Sequence, residues 1–232
     1  MERTIIPSGK WLYRYDLSQP LNEWSMDFHN PEYMFDFGNK NQFGGFFFFD
    51  SESQAENTGR KSLERYRNQE FEGLWITKCQ VTSNSEFLDL RGYMAITAIL
   101  CDFHQNGIDL FNDKFHEYYS GSKKPFVDLK QPIELLCDIT SNPDWYKDRE
   151  ASNGVESVIK FIETYFIDND TPGILGQCLT DFENGTAFKA VLEENNFEGY
   201  VFNEANGLTG TDTFCFLSSD KLSHPQNRMV KL

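Results

Sequence analysis

Four consecutive phenylalanines, Phe46–Phe49, constrain the fold of this chain more than any other feature. Their side chains alternate between the two sides of a β-strand, so both faces need cover and the strand is expected inside a sheet. The preceding Gly44–Gly45 pair allows a ligand to approach the backbone closely. The following Asp50–Ser51 pair offers an N-cap for a helix predicted over Ser53–Asn68, and such an N-terminus favours an anionic or polar ligand.

The C-terminal part contains two short apolar strands, predicted over Tyr200–Phe202 and Thr213–Leu217. The turn between them is rich in Gly, Asn and Thr, and it delivers Asp212 to the start of the second strand. An acid at a strand edge beside a loop is a common way to present a catalytic or ligand-orienting group. A hairpin without a site has the same pattern, so the interpretation depends on other segments.

A third informative segment is the strand predicted over Trp11–Asp16. Strand alternation places Arg14 on the side opposite to Tyr13 and Tyr15. An arginine within an aromatic strand is costly to bury unless it has a fixed anionic or carbonyl partner. Its planar fork of donors suits a phosphate, whereas a solvent-facing arginine on an edge strand is the alternative.

The remaining sequence predicts a mixture of helices and strands. Strands are expected over Glu72–Ser83 and Ser85–Leu90, and a short helix over Thr186–Glu194. The middle of the chain has more helical periodicity, and no repeat or linker divides it. We therefore expect one α+β domain over residues 1–232 with a largely helical insertion at about 91–180.

Composition narrows the function classes. The net charge of −15 is typical of a solvated acidic surface or of a protein with a basic partner, and the basic face that drives nucleic-acid binding is missing. The five cysteines are odd in number and show no CxxC pair, so we expect no disulfide framework, no metal site and a cytoplasmic location. No stretch of eighteen apolar residues occurs, so no membrane span is predicted.

Taken in order, these segments resemble the signature regions of the ADP-ribosyltransferase family, toxin-like enzymes that split NAD. Leu12–Arg14 matches the family's Leu-Tyr-Arg strand, and Gly45–Ala55 is similar to its Gly-x-Phe-x-Phe-Thr-Asp-Ser strand and helix. Lys78–Asp89 is similar to the strand that follows, and Phe188–Leu222 to the last region. The resemblance covers about half of the chain, and residues 91–180 have no counterpart in it.

The resemblance implies a split β-sandwich core and an NAD site. Arg14 would hold the NAD phosphate or ribose, and Tyr13 would help to wall the pocket. Asp50 and Ser51 would support the site, Phe48 or Phe49 would line the nicotinamide cleft, and Gly45 would belong to the cofactor-binding segment.

The resemblance also implies a catalytic acid. Asp212 takes the place of the acid, usually Glu, that hydrogen-bonds the nicotinamide-ribose hydroxyl and stabilises the oxocarbenium-like transition state. Cleavage leaves positive charge on the sugar, which a nearby carboxylate offsets. Asp212 is one methylene shorter than Glu, and Glu204, eight residues earlier, is the alternative acid.

The function implied is mono-ADP-ribosyl transfer from NAD, without metal, to a macromolecular acceptor in bacterial toxin or antiviral defence biology. A protein acceptor is favoured over nucleic acid because of the acidic composition, and an inhibitory or antitoxin partner would fit the setting. The alternative from another class is a non-catalytic acidic interaction protein, such as an immunity factor or a nucleic-acid mimic. Arg14, Asp212 and the Phe-rich strand favour the enzyme, whereas the charge of −15 favours the binder.

Overall fold

The computed structural model of the protein describes residues 1–17, 19–25, 44–65, 71, 73–91, 99, 101–102, 106, 185–204 and 211–231. These residues form an α+β structure with eight strands and two continuous helices, and Ile99, Cys101 and Asp102 are also helical. The strands are β1 (Arg3–Ile6), β2 (Trp11–Asp16), β3 (Phe46–Phe49), β4 (Leu74–Gln80), β5 (Ser85–Asp89), β6 (Gly199–Glu204), β7 (Thr211–Phe216) and β8 (Gln226–Val230). The helices are α1 (Glu52–Arg65) and α2 (Thr186–Glu194).

All eight strands belong to one sheet, in the order β1-β5-β6-β7-β3-β2-β4-β8. Strands β5 and β6 are parallel, and every other neighbouring pair is antiparallel. The Phe-rich strand β3 lies between β7 and β2, as its apolar faces predict. Strand β2 therefore has neighbours on both sides, so Arg14 does not belong to an edge strand.

The sheet has to curl because of two short connections. Strands β1 and β2 lie five positions apart in the sheet, about 24 Å if it were flat. The chain from Ile6 to Trp11 has only five steps, which reach at most about 18 Å. Strands β5 and β4 are joined equally briefly, and the two connections contact each other where Gly9 N donates to Val81 O at 2.8 Å. The curl encloses one face of the sheet, called here the inner face.

The inner face carries the main core. Ring contacts cross neighbouring strands, with Phe87 and Phe216 4.5 Å apart and Phe48 and Phe216 6.0 Å apart. Trp24, from the segment after β2, packs edge-on against Phe48 at 5.5 Å and helps to cover this face. The buried members of this core are Ile6, Leu12, Phe46, Phe48, Cys79, Val81, Phe87, Val201, Phe214, Phe216 and Leu222.

Helices α1 and α2 cover the opposite, outer face. Helix α1 places Ala55 among Phe49, Leu74 and Ile76, so it packs on β2, β3 and β4. Helix α2 places Phe188 4.9 Å from the ring of Tyr200 on β6. Each helix therefore buries its apolar stripe against one half of the sheet.

The sequence-based assignments of regular structure are confirmed in the described residues for β2, β4, β5 and α2, within a few residues at their ends. Strands β1 and β8 were not predicted, since each is short, polar at several positions and lies at an edge of the sheet. The helical insertion expected at about 91–180 lies almost wholly outside the described residues. Within it, Ile99 and Cys101 are buried.

Candidate functional site

Arg14 lies on the inner face, where its own strand supplies an anionic partner. The guanidinium donates through Nη2 to Asp16 Oδ1 at 2.7 Å and through Nε to Asp16 Oδ2 at 3.2 Å. Residues two apart on a strand share a face, which brings the two side chains together. Asp16 is only 6% exposed, whereas Arg14 retains 22% of its side-chain surface. Among the described residues Arg14 contacts no other acid.

Asp16 is itself tied to the neighbouring strands. The Thr77 hydroxyl lies 3.1 Å from Asp16 Oδ2 and 2.7 Å from Asn227 Oδ1, and its single proton can serve one of them at a time. Asn227 Nδ2 donates to the Leu21 carbonyl at 2.7 Å. This network, in which Asp16 and Thr77 are buried, holds Arg14 and also anchors the segment that carries Trp24 across the inner face.

Asp212 also lies on the inner face, but within a strand. It was predicted at the head of a strand starting at Thr213, whereas β7 begins at Thr211 and pairs Asp212 with Asn203. Its Oδ2 accepts a hydrogen bond from Arg91 Nη1 at 2.9 Å. Arg91 in turn donates through Nε to Asp89 Oδ1 at 2.9 Å and through Nη2 to Asp89 Oδ2 at 2.5 Å. The carboxylate is therefore one end of an Asp89–Arg91–Asp212 ion network.

The electrostatics of this network favour its charged form. Burial alone raises the pKa of the Asp89 carboxyl, but hydrogen bonds and charge from Arg91 lower it by more, so the net pKa lies below its ordinary value. Hydrogen bonding to Asp89, and then to Asp212, raises the pKa of Arg91 above its already high value despite partial burial. Arg91 therefore keeps its positive charge under all conditions in which the protein folds.

Asp89 is expected to make the stability of the protein depend on pH in the acidic range. The pKa of Asp89 is lower in the folded than in the unfolded chain. Its contribution to the free energy of unfolding is therefore complete above the ordinary carboxyl pKa of about 4, and it is lost as the pH falls through the pKa of the folded protein. Asp89→Asn should lower the thermal midpoint at pH 7, and the midpoint of this variant should fall less steeply towards pH 3 than that of the parent. Differential scanning fluorimetry across this range measures both, with Asp220→Asn, at an exposed loop position, as the matched control. Parallel pH curves for Asp89→Asn and the parent would contradict the expectation.

Glu204 was predicted to lie in the loop that follows the strand over Tyr200–Phe202, and this was wrong. It is the last residue of β6, and its backbone pairs with Thr211 of β7. Both candidate acids therefore belong to paired strands, so loop entropy does not separate them. For Asp212, the structure also describes the ion network with Arg91 and Asp89.

Arg14 and Asp212 occupy the same face on either side of the Phe-rich strand. In register, Arg14 lies level with Phe48 and Phe214, and Asp212 lies two residues before Phe214 along β7. Two strand spacings and a two-residue offset separate the two Cα atoms by roughly 12 Å in a flat sheet. The curl of the sheet turns both side chains towards the enclosed side.

A second pair of charges lies beside Asp212. Lys10 forms an ion pair with Asp50, and its Nζ lies 5.0 Å from the centre of the Phe214 ring. Asp50 follows Phe49 directly, and Phe49 pairs with Thr213, the neighbour of Asp212. One end of the inner face thus carries alternating positive and negative groups around the edge of an aromatic core.

The other predicted site residues lie on different faces of the sheet. Tyr13 and Phe49 pair with each other and lie on the outer face, away from Arg14. Burial, and then the charges of Glu52 and Asp50, raise the pKa of Tyr13, so its phenol keeps its proton. Phe48 shares the inner face with Arg14 but is 0% exposed.

The Gly-Gly turn and the helix cap behave as local chemistry predicts. Gly44 has φ +69°, in the left-handed region that glycine adopts easily, and Gly45 is buried at the start of β3. Ser51 caps α1, since its Oγ accepts a hydrogen bond from Gln54 N at 3.3 Å and its carbonyl from Ala55 N at 3.2 Å. The N-terminus of α1 thus follows directly after the strand beside Arg14.

Sequence reasoning missed the partners of both key residues. Asp16 and Asp89 each lie two positions from the arginine that they bind, Arg14 and Arg91. For Arg14 and Asp16 the available signal was their spacing of two on a predicted strand, because such residues share one face. Arg91 follows the end of β5, so strand alternation did not predict its contact with Asp89. Lys10 carried no comparable signal, since its contact with Asp50 joins segments 40 residues apart.

Comparison with protein-family models, with curated proteins and with solved structures gave no significant match for this chain. Within the described ranges, no three His, Cys, Asp or Glu side chains are arranged to hold a metal ion. None of the helices described has the length and apolar character needed to cross a membrane.

Proposed function

We propose that this protein is an NAD-dependent mono-ADP-ribosyltransferase with a split β-sandwich core of that family's type. One observation supports the proposal most: Arg14 and Asp212 lie on the same face of a curled sheet, flank the Phe-rich strand, and are each held by an ion pair. The order of the sequence segments that resemble the family is the second support.

In the proposed reaction, Arg14 binds an NAD phosphate through its Nη1 edge while Asp16 holds the other side of the guanidinium. The bond between ribose C1′ and the nicotinamide nitrogen breaks, and its electron pair goes to the nicotinamide, which leaves neutral. The positive charge that develops on the ribose is offset by the Asp212 carboxylate. The acceptor then forms a bond to C1′ and releases a proton to solvent.

The acceptor is proposed to be a macromolecule, with a protein favoured over nucleic acid. A chain with a net charge of −15 repels a polyanion, and electrostatic attraction usually supplies most of the affinity for nucleic acid. The resemblance to toxin-like enzymes suggests a role in bacterial toxin or antiviral defence biology, in the cytoplasm, with an inhibitory or antitoxin partner. Water serves as acceptor when no macromolecule is present.

The direct test is nicotinamide release from NAD by the purified protein, measured by chromatography with and without a bacterial lysate. Release that depends on the protein and transfer of label from NAD to a macromolecule support the proposal. No release under either condition, from folded protein, contradicts it.

Arg14→Ala is expected to weaken NAD binding by roughly 1–3 kcal/mol, the usual worth of a hydrogen bond to a charged group. The substitution also leaves Asp16 buried without its cation, which destabilises the fold. Arg14→Ala combined with Asp16→Asn removes that unpaired charge and tests binding in a stable protein. Calorimetric titration with NAD makes the measurement, and Arg3→Ala, which removes an exposed arginine from β1, is the control. Unchanged affinity in the folded double variant would remove Arg14 from the site.

The net charge of −15 favours a second candidate, a non-catalytic acidic interaction protein. This candidate predicts neither NAD binding nor nicotinamide release. It predicts instead saturable, salt-sensitive binding to a basic protein. The assays above therefore separate the two candidates.

A further inference from the structure

Asp89 and Arg91 are joined by more hydrogen bonds than a single surface ion pair provides. Both oxygens of Asp89 accept from Arg91, and Asp89 Oδ1 also accepts from the Arg91 backbone N at 3.0 Å. This fixes the plane of the guanidinium, which is a rigid fork. The one remaining terminal nitrogen, Nη1, then lies 2.9 Å from Asp212 Oδ2.

We infer that Arg91 is a positioning residue for Asp212 and that Asp89 orients Arg91. This inference rests on the proposed function, because it concerns how the catalytic carboxylate of that reaction is held. Arg91 donates a hydrogen bond to Oδ2 of Asp212, while Oδ1 of Asp212 has no partner within the described part of the chain. The oxygen presented to the nicotinamide ribose is therefore Oδ1.

Positioning matters more for Asp212 than for a longer acid. An aspartate reaches less far than the glutamate usual at this place, so a small rotation of its carboxylate takes Oδ1 out of hydrogen-bond range. Misplacement of a reacting group by about 1 Å can cost about 100-fold in rate. Arg91 restricts this rotation from the side, and a carboxylate that is already oriented needs no reorganisation as charge develops on the ribose.

Stability and turnover should respond differently to the loss of Arg91. Its side chain is 40% exposed, and ion pairs at such positions contribute little to folding. A purely structural role would therefore lower the melting temperature slightly and leave the rate unchanged. A positioning role lowers the rate constant for cleavage and leaves NAD affinity nearly unchanged.

The experiment compares steady-state nicotinamide release from NAD for the full-length parent, Arg91→Ala, Arg91→Lys and Asp89→Asn. Arg91→Ala is expected to lower kcat by about 10–100-fold with KM within about threefold, the signature of an interaction that acts in the transition state. Arg91→Lys should recover part of the loss, because lysine restores the charge without the fork. Asp89→Asn should fall between the parent and Arg91→Ala, because Arg91 remains but is less firmly oriented.

Arg3→Ala is the matched control, since Arg3 is an exposed arginine on β1 paired with Glu86 on β5. It should keep the parental kcat, with a shift in melting temperature similar to that of Arg91→Ala. A parental kcat in Arg91→Ala, or a change confined to KM, overturns the inference and leaves the proposed function standing. If the parent itself releases no nicotinamide, the proposed function fails and the inference fails with it, so the two failures are told apart by the parent protein alone.

Discussion

Asp212→Asn is expected to lower turnover of NAD by about 10²–10³-fold, the usual loss when one transition-state-stabilising group is removed. Asparagine keeps the size of the side chain and can still accept a hydrogen bond from Arg91, but it removes the negative charge. The ribose acquires positive charge only as the bond to nicotinamide breaks. The variant therefore loses stabilisation of the transition state and little else.

Binding of NAD should change little in Asp212→Asn, because the lost interaction strengthens mainly as the bond breaks. Calorimetric titration gives the affinity, and single-turnover nicotinamide release gives the rate of the chemical step. A large loss of affinity with an unchanged single-turnover rate would place Asp212 in substrate binding instead of in catalysis.

Glu204→Gln is the comparison variant and should stay within a few-fold of the parent. Asp212 is preorganised by the pairing of its strand with β6 and by its contact with Arg91, whose other donors are held by Asp89. A catalytic acid needs this kind of preorganisation. The reverse pattern, with Glu204→Gln inactive and Asp212→Asn active, would transfer the role to Glu204. Full activity in both variants would exclude this mechanism for the chain.

Gly199→Ala is expected to destabilise the fold by about 3 kcal/mol, towards the upper end for overpacking a core. Gly199 of β6 lies in register between Phe87 of β5 and Phe216 of β7, whose rings contact each other at 4.5 Å. A Cβ at this position would lie 2.0 Å from the Cys215 carbonyl oxygen and 2.6 Å from Phe87 Cζ. The strand pairing and the aromatic contact cannot both be kept.

Urea unfolding followed by tryptophan fluorescence measures this loss, and the melting temperature should fall by about 6–12 °C for a chain of this size. Gly73→Ala is the matched control, because the nearest atom to its added Cβ is Cε of the exposed Met229, which can move aside. It should stay within about 0.5 kcal/mol of the parent. Equal unfolding midpoints for Gly199→Ala and Gly73→Ala would contradict the proposed packing.

Local chemistry made several elements predictable. Phe46–Phe49 forms an interior strand because four aromatic side chains need cover on both faces, and Ser51 caps the helix that follows. Helix α2 matches its prediction from Thr186 to Glu194, with Phe188, Val191 and Leu192 buried on one side. Gly59, unfavourable within a helix, lies close to the sheet, since an added Cβ would be 2.4 Å from Leu74 Cδ1 of β4 and 3.1 Å from Tyr15 Cβ of β2. The low helix propensity of glycine is known from the sequence, but the lack of space for a side chain at this position is visible only in the packing.

The candidate site was less predictable, because its contacts join distant parts of the chain. The need of Arg14 for a fixed partner followed from its place among aromatic residues, but the identity of that partner as Asp16 did not. The contact between Arg91 and Asp212 joins residues 121 positions apart and depends on β5, β6 and β7 lying side by side. No local pattern specifies this arrangement.

Six of the eight strands, β2 to β7, and helices α1 and α2 were predictable within a few residues, since they follow from side-chain size, period and capping, whereas β1 and β8 were not. The sequence also indicated Arg14 and Asp212 as candidate site residues, and the structure places them on the same face of the sheet. The tertiary structure determines which charged side chains contact each other. The order of strands and the curl imposed by two short connections set which side chains share an enclosed surface, and long-range pairing of this kind depends on the whole chain.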